Sequence, residues 1–461
     1  MLTKPRFPNL SEFHAILKIG LPAAMGILAE LIIGITDNIM VGHLGTDELA
    51  AVGLASSVYK IILMISWGML FPTIVLVSQA RGTVDQLQAV QKIIRQGLWV
   101  CGILFVPGGA VLWHLEEILL LTGQFPELAR MAENYMNYQL WTLFPVLTST
   151  VFMLAFTAMG RATTSATIMW CAVGLNAVLD YALIFGKFGL PAMGVAGAGL
   201  ASVIVHGMVH MAFFIHLAFH RFFRRATLFR HAWRPKPATL EQFFRLGWPK
   251  ALEMVMKHSL FSVITLLAGR FGAQSAAAHT IAFQIAVVVG VAVPVATASA
   301  VATRMGMARG QGKLANMQLI LNSGISLLLL FIIPAIMMLK VFSPWIVMLF
   351  VSAEAKNQDL VLLASPLIVL VAFFVLADSL RLVVTYALNS LSDMKVPSLI
   401  LGLAYWGISL PVGVVLGFTM ELGILGLWWG LVFGIAVAAI THLIRFRWLV
   451  RHSLVTAVKS V

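Results

Sequence analysis

Charge is what this sequence lacks most. Asp, Glu, Lys and Arg make up 11% of its 461 residues, against 60% hydrophobic residues, and the mean hydropathy is +0.95. Soluble domains carry about 25% charged residues, so a water-facing shell cannot be assembled from this chain and a soluble fold is excluded. Cysteine is almost missing. Cys101 and Cys171 both fall inside apolar stretches, which excludes a disulfide framework or a cysteine metal centre and leaves two expected buried thiols. Acidic residues are few, 18 against 31 Lys and Arg, for a formal net charge of +13. The basic residues sit in short loops between apolar segments, so they read as topology signals and no nucleic-acid partner is implied. Also absent are HExxH, GxSxG and DDxxD runs, which an intramembrane protease or prenyl transferase would need. Neither an enzyme nor a bound cofactor is expected.

What the sequence does have is long apolar runs. Backbone amides in hydrocarbon must bond internally, and runs of about 20 residues with little alternation select helices over a barrel. Twelve such runs extend from Ile16–Val41 to Ile424–Ile444, with the seventh at Phe244–Gly269 and the eighth at Ala276–Thr303. The first run is too long for a signal-peptide core and is expected to stay as a helix. With the N-terminus in the cytoplasm, most of the 31 Lys and Arg residues fall in loops and tails on that side, which sets the orientation and places both termini inside. The densest basic loop holds Arg221, Arg225, Arg230, Arg234 and Lys236. It divides the chain into an N-terminal lobe 1–220, a cytoplasmic linker 221–240 and a C-terminal lobe 241–461.

The lobes resemble each other. Gly20-Leu21-Pro22 recurs as Gly247-Trp248-Pro249, Ala50-Ala51 as Ala277-Ala278, Gly97 as Gly324 and Pro107 as Pro334, all at the offset that separates Gly45 from Gly272. Gly194 and Gly197 recur slightly later, as Gly423 and Gly426. Collinear matches in one register mark an internal duplication. Six helices is an even number, so both copies enter from the same side. The expected fold is an all-α membrane protein, twelve transmembrane helices in two parallel six-helix repeats.

An ionisable residue in hydrocarbon is costly enough to count as a functional candidate. Five acids fall inside helices: Glu30, Asp37, Asp180, Glu253 and Asp378. Asp37 lies near the outer end of helix 1, Asn176 and Asp180 one turn apart near the outer end of helix 5, and Ser202 at similar depth on helix 6. Two carboxylates, an amide and a hydroxyl form a hard-oxygen cluster that can ligate Na+, or a carboxylate pair that can carry a proton. The plainer alternative is that Asn176 and Ser202 hydrogen-bond between helices. In the second half Glu253 and Asp378 share a depth. Lys257 follows Glu253 at i+4, Lys250 precedes it at i−3, and Arg381 follows Asp378 at i+3. A charge network among Glu253, Lys257, Asp378 and Arg381 is therefore expected, with Glu253 paired to Lys257, as a second polar site or as a structural feature. The partner of Glu30 cannot be read. His206 and His210 have metal-ligand spacing but no carboxylate or Cys beside them, which favours helix packing. With 23 Met and 29 Phe, the interior can offer adaptable surface to flat cations.

Several of these residues carry a family resemblance. Thr36-Asp37-Asn38-Ile39-Met40-Val41-Gly42-His43-Leu44-Gly45, continuing to Leu49-Ala50-Ala51-Val52, resembles the opening motif of the multidrug and toxic compound extrusion (MATE) family, with Asp37 in the place of its aspartate. The stretch from Asn176 to Asp180, then Gly186-Lys187-Phe188-Gly189 with Gly194, Gly197 and Gly199, is similar to the NorM-like branch, although Asp180 is a DinF-like feature. Asp378, ahead of Asp393, matches the family's helix 10 aspartate. Lys257 departs from the pattern, since NorM-like members carry a glutamate there; Glu253 lies one turn earlier. The resemblance covers essentially the whole chain. It implies a secondary antiporter of a prokaryotic inner membrane that exports lipophilic, drug-like organic cations for Na+ or H+, with the coupling cation at Asp37, Asn176, Asp180 and Ser202. Its expected partners are the lipid bilayer and the substrates, with the chain acting as a monomer. Within the same superfamily the alternative is a lipid-linked saccharide flippase, for which Lys60, Lys250, Lys257 and Arg381 supply cations.

Overall fold

A computed structural model describes residues 9–83, 86–219, 234–348 and 358–459. Arg221, Arg225 and Arg230 of the basic linker lie outside the described residues. Among those described, twelve helices are long and apolar enough to cross a membrane: α1 Leu10–Gly42, α2 Thr46–Ala80, α3 Gln86–Trp113, α4 Pro126–Ala158, α5 Ala162–Phe185, α6 Val195–Phe219, α7 Pro237–Gly269, α8 Ala273–Gly310, α9 Leu314–Val341, α10 Leu362–Ser390, α11 Lys395–Thr419 and α12 Gly423–His452. They match the expected spans one for one. The 33 residues of α1 rise about 50 Å at 1.5 Å per residue, well beyond the roughly 30 Å of bilayer hydrocarbon.

Two compact units form. One comprises Met25–Ala251, the other Met1–Ala24 with Leu252–Val461. The boundaries cut α1 and α7 just after Pro22 and Pro249, the prolines inside those helices, where the missing N–H removes one helical hydrogen bond. In the first unit α4 packs against α2, α3 and α6; in the second α10 packs against α8, α9 and α12. Each repeat thus builds its core around its fourth helix. The opening turns of α1 are held in the second unit by Glu12, whose carboxylate accepts from Arg304 Nε at 3.1 Å and Nη2 at 2.7 Å. The start of α7 is held in the first unit by Gln96 of α3, which accepts from the Lys236 N–H at 2.8 Å and donates to the Arg234 carbonyl at 3.3 Å.

Small residues let paired helices close on each other. A Cβ on Gly197 of α6 would sit 2.6 Å from the Leu183 carbonyl oxygen of α5, and one on Gly199 would sit 2.9 Å from the Tyr135 carbonyl oxygen of α4. In the second repeat Gly426 of α12 meets the Gly417 backbone of α11 in the same way. The turns after α4 and α10 are matched too. Arg81 Nη1 donates to the Ala158 carbonyl at 2.7 Å beside left-handed Gly160, while Arg309 Nη1 donates to Ser392 Oγ at 3.1 Å at a turn where Ser392 itself is left-handed. Helix α11 departs from regular geometry, with wider π-helical turns at Leu403–Ser409 and Val415–Thr419. Cys101 is buried as expected, but Cys171 is exposed on α5. An apolar run does not distinguish a core-facing position from an outward-facing one, and a thiol is tolerated at either.

Candidate functional site

The cluster expected in the first half is assembled by α1, α5 and α6. Asn176 Nδ2 donates to Asp37 Oδ1 at 2.9 Å, and Asp180 and Ser202 stand beside the same Asp37 carboxyl group. The α5–α6 approach at Gly197 brings Ser202 to this depth. Asn176 and Asp180 are completely buried and Ser202 nearly so, whereas Asp37 is half-buried. Three oxygens stand out. Both carboxylate oxygens of Asp180 and Oδ1 of Asn176 are buried with no donor in reach among the described residues. Two facing carboxylates repel and a buried acceptor without a donor costs about 1–3 kcal/mol, so the arrangement is suited to one small positive charge held by hard oxygens.

Sequence reasoning missed Tyr135. This α4 residue is buried and lies close to Asp37, Asp180 and Ser56 of α2. Next to it, Tyr59 and Thr142 share a hydrogen bond of 2.5 Å. Tyr135 stands at the polar edge of an apolar run, where a tyrosine reads as an interface residue; only the fold turns it inward.

The second polar site also comes together, and Arg381 organises it. Arg381 Nε and Nη2 donate to Asp378 Oδ1 at 2.8 and 2.7 Å, and Nη1 reaches Glu253 Oε1 at 3.5 Å. Lys257 of α7 crosses to α10 and donates to Asp378 Oδ2 at 2.7 Å. The Arg381–Asp378 pair has the expected i, i+3 spacing, whereas Lys257 is engaged between helices. Lys250, also considered beside Glu253, stands over the Phe71 ring at 5.3 Å. Glu30 is exposed and enters no ion pair among the described residues. His210 shares a 2.7 Å hydrogen bond with Thr148 and lies among the rings of Phe144, Phe152 and Phe214, a packing environment.

Twelve spans from a duplicated six-helix unit, with ionisable groups buried at membrane depth in both copies, define the chain as a polytopic membrane protein with the build of a secondary transporter. The MatE family model matches residues 22–182 and 249–415, two segments that begin at the repeated Pro22 and Pro249. The chain belongs to this family, the MATE transporters. The probable multidrug resistance protein NorM of Brucella suis biovar 1 is 32% identical over 446 residues, covering 95% of this chain and 93% of that protein. Its namesake in Pseudomonas aeruginosa is 31% identical over 444 residues, covering 96% and 90%. Among solved structures, a MATE protein in the bent conformation superposes with a TM-score of 0.86 at 20% identity, covering 96% of each chain. An outward-facing multidrug resistance MATE family transporter of the MOP superfamily gives 0.86 at 19% identity, with the same coverage. These structures share the fold.

Proposed function

We propose that this chain is a multidrug efflux antiporter that exports lipophilic organic cations in exchange for Na+ or H+, held at Asp37, Asn176, Asp180 and Ser202. The observation that carries this reading is the set of three buried oxygens without donors at Asp180 and Asn176, facing the half-buried Asp37. The NorM relatives, named for multidrug resistance, support the substrate class. The protein sits in a bacterial cytoplasmic membrane with both termini inside, works as a monomer without a cofactor, and is organised as lobes 1–220 and 241–461 joined by the basic stretch 221–240. A flippase for lipid-linked saccharides is disfavoured, because Arg381 and Lys257 are committed to carboxylates and are not presented to a pyrophosphate.

Neutralising Asp37 or Asp180 is expected to abolish efflux while leaving a folded protein, since each removes charge from a site whose task is to bind and release a cation. Ethidium or fluoroquinolone efflux from vesicles with an imposed Na+ or pH gradient measures this. Normal efflux by well-expressed Asp37→Asn and Asp180→Asn variants would overturn the assignment, and the gradient that drives wild-type efflux identifies the ion.

A further inference from the structure

In the second unit ion pairs join the carboxylates of Asp378 and Glu253 to Arg381 and Lys257, and these two cations are held differently. The Arg381 side chain is 1% exposed and grips both Asp378 and Glu253. Lys257 is 32% exposed and takes the remaining oxygen of Asp378 from the more open side. Around them stand oxygen donors. Ser398 Oγ lies 3.5 Å from Glu253 Oε2, Thr385 Oγ1 lies 3.4 Å from Arg381 Nη1, and Tyr405, on the first π-helical segment of α11, is completely buried with its hydroxyl unpartnered among the described residues.

Without the Lys257 ammonium Asp378 Oδ2 would be left open with hydroxyls nearby, and Asp378, Glu253 and Arg381 taken together would carry one net negative charge away from water. A hard-oxygen set of that charge binds a monovalent cation, because an unbalanced buried charge is strongly destabilising. Lysine fits the role of a built-in substitute, being a compact point charge with three donors on a flexible stem, whereas arginine is a planar fork suited to a fixed bidentate grip.

We propose that Lys257 takes, on a covalent tether, the place of an exchangeable cation in the second half of the chain. Together with Arg381, its ammonium keeps Asp378 and Glu253 permanently neutralised, so this half exchanges no coupling ion and transport has a single exchangeable cation site per chain. Only that stoichiometry rests on the reading of the Asp37 cluster; the occupancy of the Asp378 site by Lys257 does not.

The test is made on purified full-length protein in the Asp37→Asn background, which removes the first-half site from the readout. Thermal unfolding midpoints are measured in choline, Na+ and K+ chloride at equal ionic strength. The parent is expected to be indifferent to the cation. Adding Lys257→Gln should lower the midpoint in choline and make it rise saturably with Na+ or K+, by about 3–5 °C at 100-fold above the apparent dissociation constant. Lys257→Arg, which keeps the tethered charge, should remain indifferent. If Lys257→Gln does not fold in any salt, the neutral double variant Glu253→Gln/Lys257→Gln should fold and show no cation dependence. A folded Lys257→Gln that ignores both cations, or a double variant as unstable as the single, overturns the proposal. Because no step measures efflux, failure here is distinct from failure of the proposed antiport.

Discussion

A charged side chain at the centre of a membrane helix costs on the order of 2.5–3.5 kcal/mol, and this chain accommodates the five acids within its apolar runs in three ways. Asp37 and Asp180 face each other beside Asn176, Glu253 and Asp378 are neutralised by Arg381 and Lys257, and Glu30 stays exposed. Asn176 divides its amide between the two tasks of the first cluster. Its Nδ2 orients Asp37, and its unpartnered Oδ1 faces the same interior. Asn176→Ala should therefore weaken coupling-ion affinity by about tenfold, or ~1.4 kcal/mol, without abolishing it as the aspartate substitutions do. The Na+ or H+ concentration giving half-maximal efflux measures the shift; an unchanged value removes Asn176 from the ligand set. The acids themselves were legible, because a carboxylate in an apolar run has no bland explanation. Their partners were less so. Spacing along one helix pointed Lys257 at Glu253, while the contact that the fold adds, to Asp378, runs between α7 and α10, and no periodicity within a single helix reports it. Tyr135 escaped notice for the same reason, since its significance lies wholly in what α1 and α5 bring to it.

Among the elements, all twelve spans could be read from the apolar runs, and the errors are confined to their ends. The seventh helix begins at Pro237 and the eighth continues to Gly310, past the polar residues that close each apolar run. Hydropathy marks where a helix lies in hydrocarbon, whereas backbone hydrogen bonding continues into the aqueous edge. The short helices Leu115–Leu121 and Ser343–Met348, which follow the third helix of each repeat, are hidden from hydropathy by their brevity. The π-helical turns of α11, both packed against α12, leave no mark in composition. Helix spacing gives a direct test. At Gly197 a side chain would collide with the Leu183 carbonyl, whereas at Gly207, on the same helix, nothing lies within 4 Å of an added Cβ. Gly197→Val should cost about 1–3 kcal/mol through overpacking and separate Ser202 from Asp180, lowering both the thermal midpoint and efflux. Gly207→Ala should leave both unchanged. Equal behaviour of the two variants in detergent unfolding would show that the α5–α6 approach does not position the site.

At the scale of the whole molecule, duplication and packing draw different boundaries. Matching glycines and prolines locate the middle of the duplication near the basic stretch 221–240, whereas the compact units divide the chain after Ala24 and Ala251. The first boundary records how the sequence was built, the second which side chains touch, and only the first is written in residue order. As a result α1 contributes to both units. Its opening turns are tied through Glu12 to Arg304, Pro22 interrupts its hydrogen bonding, and its later turns carry Asp37 to α5 and α6. In the proposed antiport, a cation bound at Asp37 would relieve repulsion with Asp180 and favour one packing of α1, a helix whose residues are shared by both units. If the organic cation favours the alternative packing, ion and drug are linked by a single free energy, and each must weaken the other's equilibrium affinity by the same factor, about 5–150-fold for a coupling of 1–3 kcal/mol. Drug affinity measured in detergent is expected to fall as Na+ or H+ is added, ion affinity to fall equally as drug is added, and Asp37→Asn to bind drug with no dependence on either ion. Drug binding indifferent to both ions in the wild type, or full ion dependence retained in Asp37→Asn, would place the coupling outside this cluster.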